Sequence, residues 1–434
     1  MKKIYPFIFL LLLHLSLSAQ VKPKLQAKLD QQANEIEARV IEWRRDFHQN
    51  PELGNREYNT GVKIADHLKS LGIKVQYPVA KTGVVGILEG VKPGPVIALR
   101  ADMDALPVTE RNSLPFASKV KTIFNGQETG VMHACGHDAH VSIMMAVADI
   151  LAKNKSELKG TIKFLFQPSE EGPPQGEEGG ASLMIKEGVL ENPKVDVVFG
   201  LHMLSLLPTG QLGYRSEGIM AAEDGLKIKV TGLGAHGATP WDSKDPIMIG
   251  TQIISGLQTI VSRQTDLTKA PAVITIGSFH SGNRGNIIPE VAEMQGTIRS
   301  FDIGMQKTLH EKIKLTAEKI AESTGAKAEV EIGSPVTYND PTLTTMMAPS
   351  LQRTVGISNA IVVAPTTLAE DFSFFQEKVP GLFFFVGAYP SDMKLTNPPV
   401  HHTADFMMDE KSFVTGVKAM LNLTVDYMFA PKKK

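Results

Sequence analysis

At 434 residues the chain exceeds what one hydrophobic core usually supports, roughly 250–300 residues, so two domains are expected. Hydrophobic residues make up 42% and charged residues 21%, the range of an ordinary globular protein. Lys+Arg 45 against Asp+Glu 46 leaves a formal net charge of -1, a balance that gives no hint of nucleic acid or an anionic membrane as partner.

The chain begins with Lys2-Lys3, an apolar stretch over residues 4–17 and then Ser18-Ala19-Gln20, the three parts of a secretory signal. Residues 1–19 are therefore expected to be removed and the protein exported, to the periplasm or out of the cell. The stretch is shorter than the roughly 20 apolar residues of a membrane span, which argues against an anchor, and no later segment reads as transmembrane. Cys135 stands alone, so no intramolecular disulfide can form in an oxidising compartment.

Apolar residues at helical spacing over 25–48 predict a helix that ends at the turn Asn50-Pro51-Glu52-Leu53-Gly54, and a second helix over 60–71 stops at Gly72. Strand-like runs follow at 84–88, 96–100, 161–167 and 195–202, with a helix over 141–152 between the second and third. Strands separated by helices predict an α/β class with a mixed, largely parallel sheet and flanking helices. The texture changes near 213–224. Strand 226–231, helix 246–263, strands 272–280 and 291–300, helix 305–323 and strand 327–332 suit a small α+β, ferredoxin-like unit. After Ser334 the α/β texture returns with strands at 361–363 and 382–386 and a helix over 411–428. The expected organisation is a signal at 1–19, a main domain at 20–215 and 334–434, and an inserted domain at 216–333. The terminal Lys432-Lys433-Lys434 reads as a solvated tail.

The densest chemistry is His133-Ala134-Cys135-Gly136-His137-Asp138-Ala139-His140, three imidazoles, a thiol and a carboxylate just before a helix. Divalent metals of borderline softness accept all three donor types. Two adjacent carboxylates, Glu170 and Glu171, follow a predicted strand, where open α/β sheets build their sites. Neighbouring side chains diverge, so one can bind metal while the other takes a proton from water. With His202 at a strand end and the pair His401-His402, the set Cys135, His137, Glu171, His202 and His402 would surround two metals and leave positions open for water and substrate. In the inserted domain His236 lies in a glycine-rich turn and could donate to a developing oxyanion. Asn286, in Gly285-Asn286-Ile287-Ile288-Pro289, and Arg299 could hold a substrate carboxylate.

Asp102-Met103-Asp104-Ala105-Leu106-Pro107, His133-Ala134-Cys135-Gly136-His137-Asp138, Glu170-Glu171, Gly234-Ala235-His236, Gly285-Asn286-Ile287-Ile288-Pro289 and Ala369-Glu370-Asp371-Phe372 together resemble the amidohydrolase branch of the aminoacylase and carboxypeptidase metallopeptidases, the branch of hippurate and auxin-conjugate hydrolases. The likeness runs in order over residues 43–410. It implies a zinc-exopeptidase-like dimetal catalytic domain interrupted by a lid that also dimerises, and therefore a homodimer. It implies Cys135, His137, Glu171, His202 and the C-terminal histidine as ligands, Glu170 as general base, and Asp104 as a residue orienting a ligand from behind. It also implies that His236 reaches the active site of a partner subunit.

Three departures stand out. Ala404 occupies a place where relatives often have Pro, and His402 is chosen over His401 because Phe406 lies four residues on. Asp102 stands where the wider superfamily has a metal-binding His, so it inherits no ligand role. An apparent insertion over residues 173–178 should reshape the pocket rim.

The expected activity is hydrolysis of an amide bond in N-acyl amino acids or short peptides, with two divalent ions per subunit. Zinc or manganese suits the donors, as do nickel and cobalt. The rival readings are a dipeptidase or carboxypeptidase of the same family, and an exported metal- or peptide-binding protein without catalysis.

Overall fold

The computed structural model describes residues 13–220, 224–333, 335–390 and 400–431. Residues 1–12 of the expected signal and the lysine tail lie outside the described residues. No helix among the described residues is long and apolar enough to cross a membrane. The chain divides into two compact units, Met1–Tyr214 with Thr342–Val362 and Lys378–Lys434, and Arg215–Pro341 with Val363–Glu377. The return of Val363–Glu377 to the smaller unit is marked by no change in composition.

The larger unit is built on an eight-stranded sheet. Its order is Lys74–Val79, Gly83–Glu89, Lys159–Gln167, Lys92–Asp102, Val197–Pro208, Gly381–Tyr389, Leu212–Tyr214 and Ala360–Val362. The four central strands, from Lys159–Gln167 to Gly381–Tyr389, run parallel, and the first two are antiparallel additions. Phe383, Phe384 and Phe385 are all fully buried although consecutive strand residues point to opposite faces, so both faces of the sheet are covered. The helix His137–Lys153 is buried over residues 137–151 and packs between the sheet and other helices, which explains why apolar residues fall on every side of it.

The helical pattern over 25–48 covers two helices, Leu13–Glu35 and Glu37–Gln49. At Ile36 the backbone (φ -91°, ψ -5°) opens the helix, yet its N–H still bonds Gln32 O at 3.1 Å. Leu29, Ala33, Ile36 and Val40 stay buried across the joint, so the hydrophobic period carries no sign of it.

In the smaller unit the four-stranded sheet has the order Ala272–Ser281, Val291–Ser300, Asp224–Thr231, Lys327–Ile332, antiparallel throughout. With helices Pro246–Gln264 and Ile303–Ser323 this is the ferredoxin-like arrangement. Asp245 caps the first helix by accepting from Ile247 N and Met248 N, with Pro246 at the first helical position, and Asp302 caps the second through Met305 N. Leu226, Ile228 and Val230 face these helices while Lys227 and Lys229 are exposed.

Candidate metal centre

Parallel strands bring their C-terminal ends to one edge of the larger sheet. Lys92–Asp102 ends at Asp102 and runs on to Asp104; Lys159–Gln167 ends just before Glu170 and Glu171. Between them Ser169 is held at φ 55°, and its N–H donates to Glu57 Oε1 at 2.8 Å. A non-glycine residue held in the left-handed region needs surrounding bonds to keep it there. Burial and the neighbouring Asp104 charge push the Glu57 carboxyl well above the usual range.

Asp104 organises the centre. Its Oδ1 accepts the Glu170 N–H at 3.0 Å and its Oδ2 the Glu171 N–H at 3.0 Å. His137 Nδ1–H faces the Asp104 carbonyl at 2.9 Å and Oδ1 at 3.2 Å. This fixes the His137 tautomer, leaving the Nε2 lone pair directed away. That nitrogen is buried without a hydrogen-bond partner, 3.7 Å from Asp102 Oδ2, 3.8 Å from Glu170 Oε2 and 3.9 Å from Glu171 Oε1.

Cys135 precedes Gly136, whose φ of 106° starts the His137–Lys153 helix; a Cβ there would come within 3.2 Å of Met408 Sδ. Cys135 Sγ lies 3.4 Å from His202 Nε2 and 3.2 Å from His402 Nε2. His402 Nε2 is in turn 3.1 Å from Glu171 Oε1. His202 donates Nδ1–H to Met203 O at 2.7 Å, so its Nε2 lone pair also faces the thiol. His202 sits inside the strand Val197–Pro208 rather than at its end, because the ladder with Gly381–Tyr389 continues past it.

The neighbouring histidines take different parts. His401 donates Nδ1–H to Cys135 O at 3.2 Å and accepts from Ser205 N at 3.2 Å, which uses both ring nitrogens. His402, at φ 62°, is held by its N–H to Ala134 O at 2.8 Å and turns its ring to Cys135 and Glu171. All five residues expected as ligands thus converge.

The donor set fits two divalent ions. Cys135, His137 and His202 form one triad and Cys135, Glu171 and His402 another, each with ligand atoms within 4.8 Å of one another, and Cys135 is common to both. The electrostatics agree. Burial opposes protonation of His137, yet Asp102, Asp104 and Glu171 push its pKa up to about 10. Burial, then Glu171 and Glu170, push the Cys135 thiol well above its ordinary value. Both shifts arise from negative charge gathered in a dry site, and divalent cations reverse them.

A chain of buried contacts behind the ligands links residues that the sequence leaves unconnected. Arg100 Nη1 donates to Asp102 Oδ2 at 2.6 Å, and His140 Nδ1–H to Asp102 Oδ1 at 2.5 Å. His140 Nε2 accepts the Met203 N–H at 2.9 Å, and Met203 O is the acceptor of His202. Burial would raise the Asp102 carboxyl, but Arg100, His137 and His140 hold it well below the usual range. A second network joins Asp138 to His48 at 2.7 Å and to Arg44 at 3.0 Å, and His48 to Glu110 at 3.1 Å. The signal available for His140 is its spacing of three from His137, one face of a helix. His48 and Asp138 are 90 residues apart, and no local pattern links them.

In the smaller unit His236 is exposed, on a two-residue strand, Ala235–His236, paired with Ile287–Ile288. Its Nδ1 accepts the Ala238 N–H at 3.1 Å, and Gly237 N–H donates to Asn286 O at 2.9 Å. His236 and Asn286 line one pocket, which reaches Val291. Arg299 lies near the far end of the Val291–Ser300 strand, on the order of 25 Å away at strand rise, with Nη1 on Ile298 O at 3.1 Å. The unit joins the first two residues and leaves Arg299 apart.

A model of the peptidase family M20/M25/M40 matches residues 98–426. The chain is 41% identical over 407 residues to thermostable carboxypeptidase 2 of Saccharolobus solfataricus, covering 93% of this chain and 99% of that one. It is 37% identical over 390 residues to an N-acetylcysteine deacetylase of Bacillus subtilis, covering 89% and 96%. The crystal structure of the Bacillus subtilis YXEP protein, described as a dinuclear metal binding peptidase from the M20 family, matches with a TM-score of 0.72 at 34% identity, over 91% of this chain and 99% of that one. With a two-metal donor set at the strand ends and these relatives along nearly its whole length, the chain belongs to peptidase family M20/M25/M40 and is a metal-dependent amidohydrolase of its amidohydrolase and carboxypeptidase branch.

Proposed function

We propose that the protein hydrolyses the amide bond of N-acyl amino acids, with Cys135, His137, Glu171, His202 and His402 as metal ligands and Glu170 as general base. The observation that carries this reading is the single Asp104 carboxylate holding the amides of both glutamates and the His137 ring. Successive residues are thereby fixed with their side chains diverging, Glu171 toward His402 and Glu170 toward His137. The divalent ions, when bound, polarise the substrate carbonyl and acidify water.

Glu170 has a side chain only 9% exposed, and its Oε2 lies 3.8 Å from His137 Nε2, beside the ligand cluster where the attacking water would be held. It takes the proton of the attacking water and passes it to the departing amine. Asp104 keeps His137 in the tautomer that presents Nε2. His236 accepts at Nδ1, so its proton is on Nε2, an exposed donor suited to the developing oxyanion. We assign that donor to the partner subunit in a homodimer, and Asn286, which lines the same pocket, to the substrate carboxylate; Arg299, at the far end of its strand, takes no part in that pocket. The N-terminal signal pattern supports an exported protein whose mature chain starts near Gln20.

The relative described as a carboxypeptidase favours a second reading, an exopeptidase acting on peptides. Metal-stripped protein, re-supplied in turn with zinc, manganese, nickel and cobalt, should cleave N-acetyl and N-benzoyl amino acids faster than dipeptides. Faster cleavage of dipeptides would transfer the assignment to the exopeptidase.

A further inference from the structure

Three consecutive main-chain N–H groups, those of Ser169, Glu170 and Glu171, each donate to a buried carboxylate. Asp104 accepts the second and third, at 3.0 Å each, and Glu57 Oε1 accepts the first at 2.8 Å. Successive amides that converge on anions form a concave backbone turn, and the anions in return hold that turn in shape. Here the two carboxylates come from separate segments of the chain.

The sequence around Glu57 places it for this task. Glu57 stands at the N-cap of the helix Tyr58–Ser70, yet its side chain makes no capping bond. Glu52 caps that helix instead, accepting from Asn59 N at 3.1 Å and Thr60 N at 2.8 Å. The Glu57 side chain turns inward, where it is fully buried, and Thr82 Oγ1 donates to its Oε2 at 2.6 Å. A carboxyl taken out of water is tolerated where its oxygens are hydrogen-bonded, and with both engaged its direction is fixed.

The turn it meets needs such a hold. Ser169 at φ 55° lies in the left-handed region, which is unfavourable for a residue with a side chain. Neighbouring segments close on it: a Cβ on Gly54 would lie 2.9 Å from Ser169 Oγ and one on Gly179 3.0 Å from it, so glycine at both positions allows the approach. That packing limits where Ser169 can sit, and the Glu57 bond sets the direction of its N–H. From Ser169 the chain passes directly to Glu170 and Glu171, whose side chains point toward His137 and His402. A rotation at Ser169 would swing both.

We propose that Glu57 is a positioning residue for the reaction: by holding the Ser169 N–H it fixes the turn that aims Glu170 at the attacking water and Glu171 at its metal ion. The assignment rests on the roles given to Glu170 and Glu171 above. Glu57 acts through the backbone of Ser169, so its loss should be felt at the Glu171 ion and at the proton transfer before it is felt in the fold.

The test compares Glu57→Leu, which keeps the bulk and removes both acceptors, with Glu57→Gln, whose amide oxygen accepts from Ser169 N and whose amide nitrogen donates to Thr82. Metal release is followed by stepwise competitive chelation and turnover by kcat and KM, with thermal melting as the folding control. In Glu57→Leu the ion of the Cys135, Glu171 and His402 triad is expected to loosen ~10–100-fold, the weight of partners that orient a ligand from behind. The kcat should fall with it, while KM and the other ion change little, and Glu57→Gln should restore both. Unchanged affinity and turnover in a folded Glu57→Leu, equal loosening of both ions, or a Glu57→Gln as impaired as Glu57→Leu overturns the proposal. If Glu57→Leu does not fold, Thr82→Val, which unties the other Glu57 oxygen, is read in its place: a smaller loss at the same ion is expected, and no loss overturns the proposal. Glu171→Gln is the reference. Two ions bound there as tightly as in the wild type would overturn the ligand role of Glu171 itself, whatever Glu57 shows.

Discussion

In the four-stranded sheet Leu226, Ile228 and Val230 are buried while Lys227 and Lys229 stand in solvent; in the eight-stranded sheet Arg100, Asp102 and Lys163 are buried within their strands. The small sheet rests on an apolar core with one wet face. In the large sheet each buried charge has dedicated partners. Lys163 Nζ donates to the carbonyls of Val189, Glu191 and Pro193 at 2.8, 2.5 and 3.2 Å, and Asp102 is held between Arg100 and His140. Buried charge is tolerated only where such partners exist, and removing one partner leaves the other stranded. Chemistry is therefore concentrated in the unit that breaks the simple burial rule.

The comparison is tested most severely at Glu170. Glu170→Gln should lower kcat by ~10²–10⁴-fold, the usual weight of general acid–base catalysis, while metal content stays at the wild-type level. Normal turnover would remove the general base from the account. The small sheet should answer differently. Ile228→Ala, at a fully covered core position, should cost ~2–5 kcal/mol in denaturant unfolding without weakening metal binding. A loss of metal affinity there would show that the two sheets are not independent in the way their cores suggest.

The two regions also differ in how far their sequence discloses them. Alternation over 226–231 and helical spacing over 246–263 and 305–323 come from one-sided burial, a local pattern, and the small unit follows them closely. In the large unit the strands and the metal donors were visible as a dense cluster and as carboxylates after an apolar run. The identity of the C-terminal histidine rests on backbone geometry, since His402 turns to Cys135 only at φ 62° while His401 is used up by backbone partners. The Asp102–His140–Met203–His202 chain joins three separate segments through the main-chain N–H and carbonyl of Met203, which no residue spacing encodes. The hairpin at 121–130 shows no strand pattern in sequence, because the adjacent apolar residues Ile123 and Phe124 are both exposed and do not alternate with polar ones. The return of Val363–Glu377 to the smaller unit is a long-range property of the same kind.

A smaller effect tests that chain. His140→Phe would strand Asp102 Oδ1 and the Met203 N–H, loosening His202 without touching a metal donor. Metal affinity by competitive chelation should fall ~10–100-fold, the range for partners that orient a ligand from behind. Unchanged affinity would reduce the chain to a packing feature.

The claim beneath all of this is that Cys135 is shared by two adjacent donor triads. The direct test counts bound divalent ions per subunit by elemental analysis after dialysis, in the wild type and in Cys135→Ala. Two ions in the wild type and a loss at both positions in the variant are predicted. A single ion in the wild type, or two retained without the thiol, would contradict it.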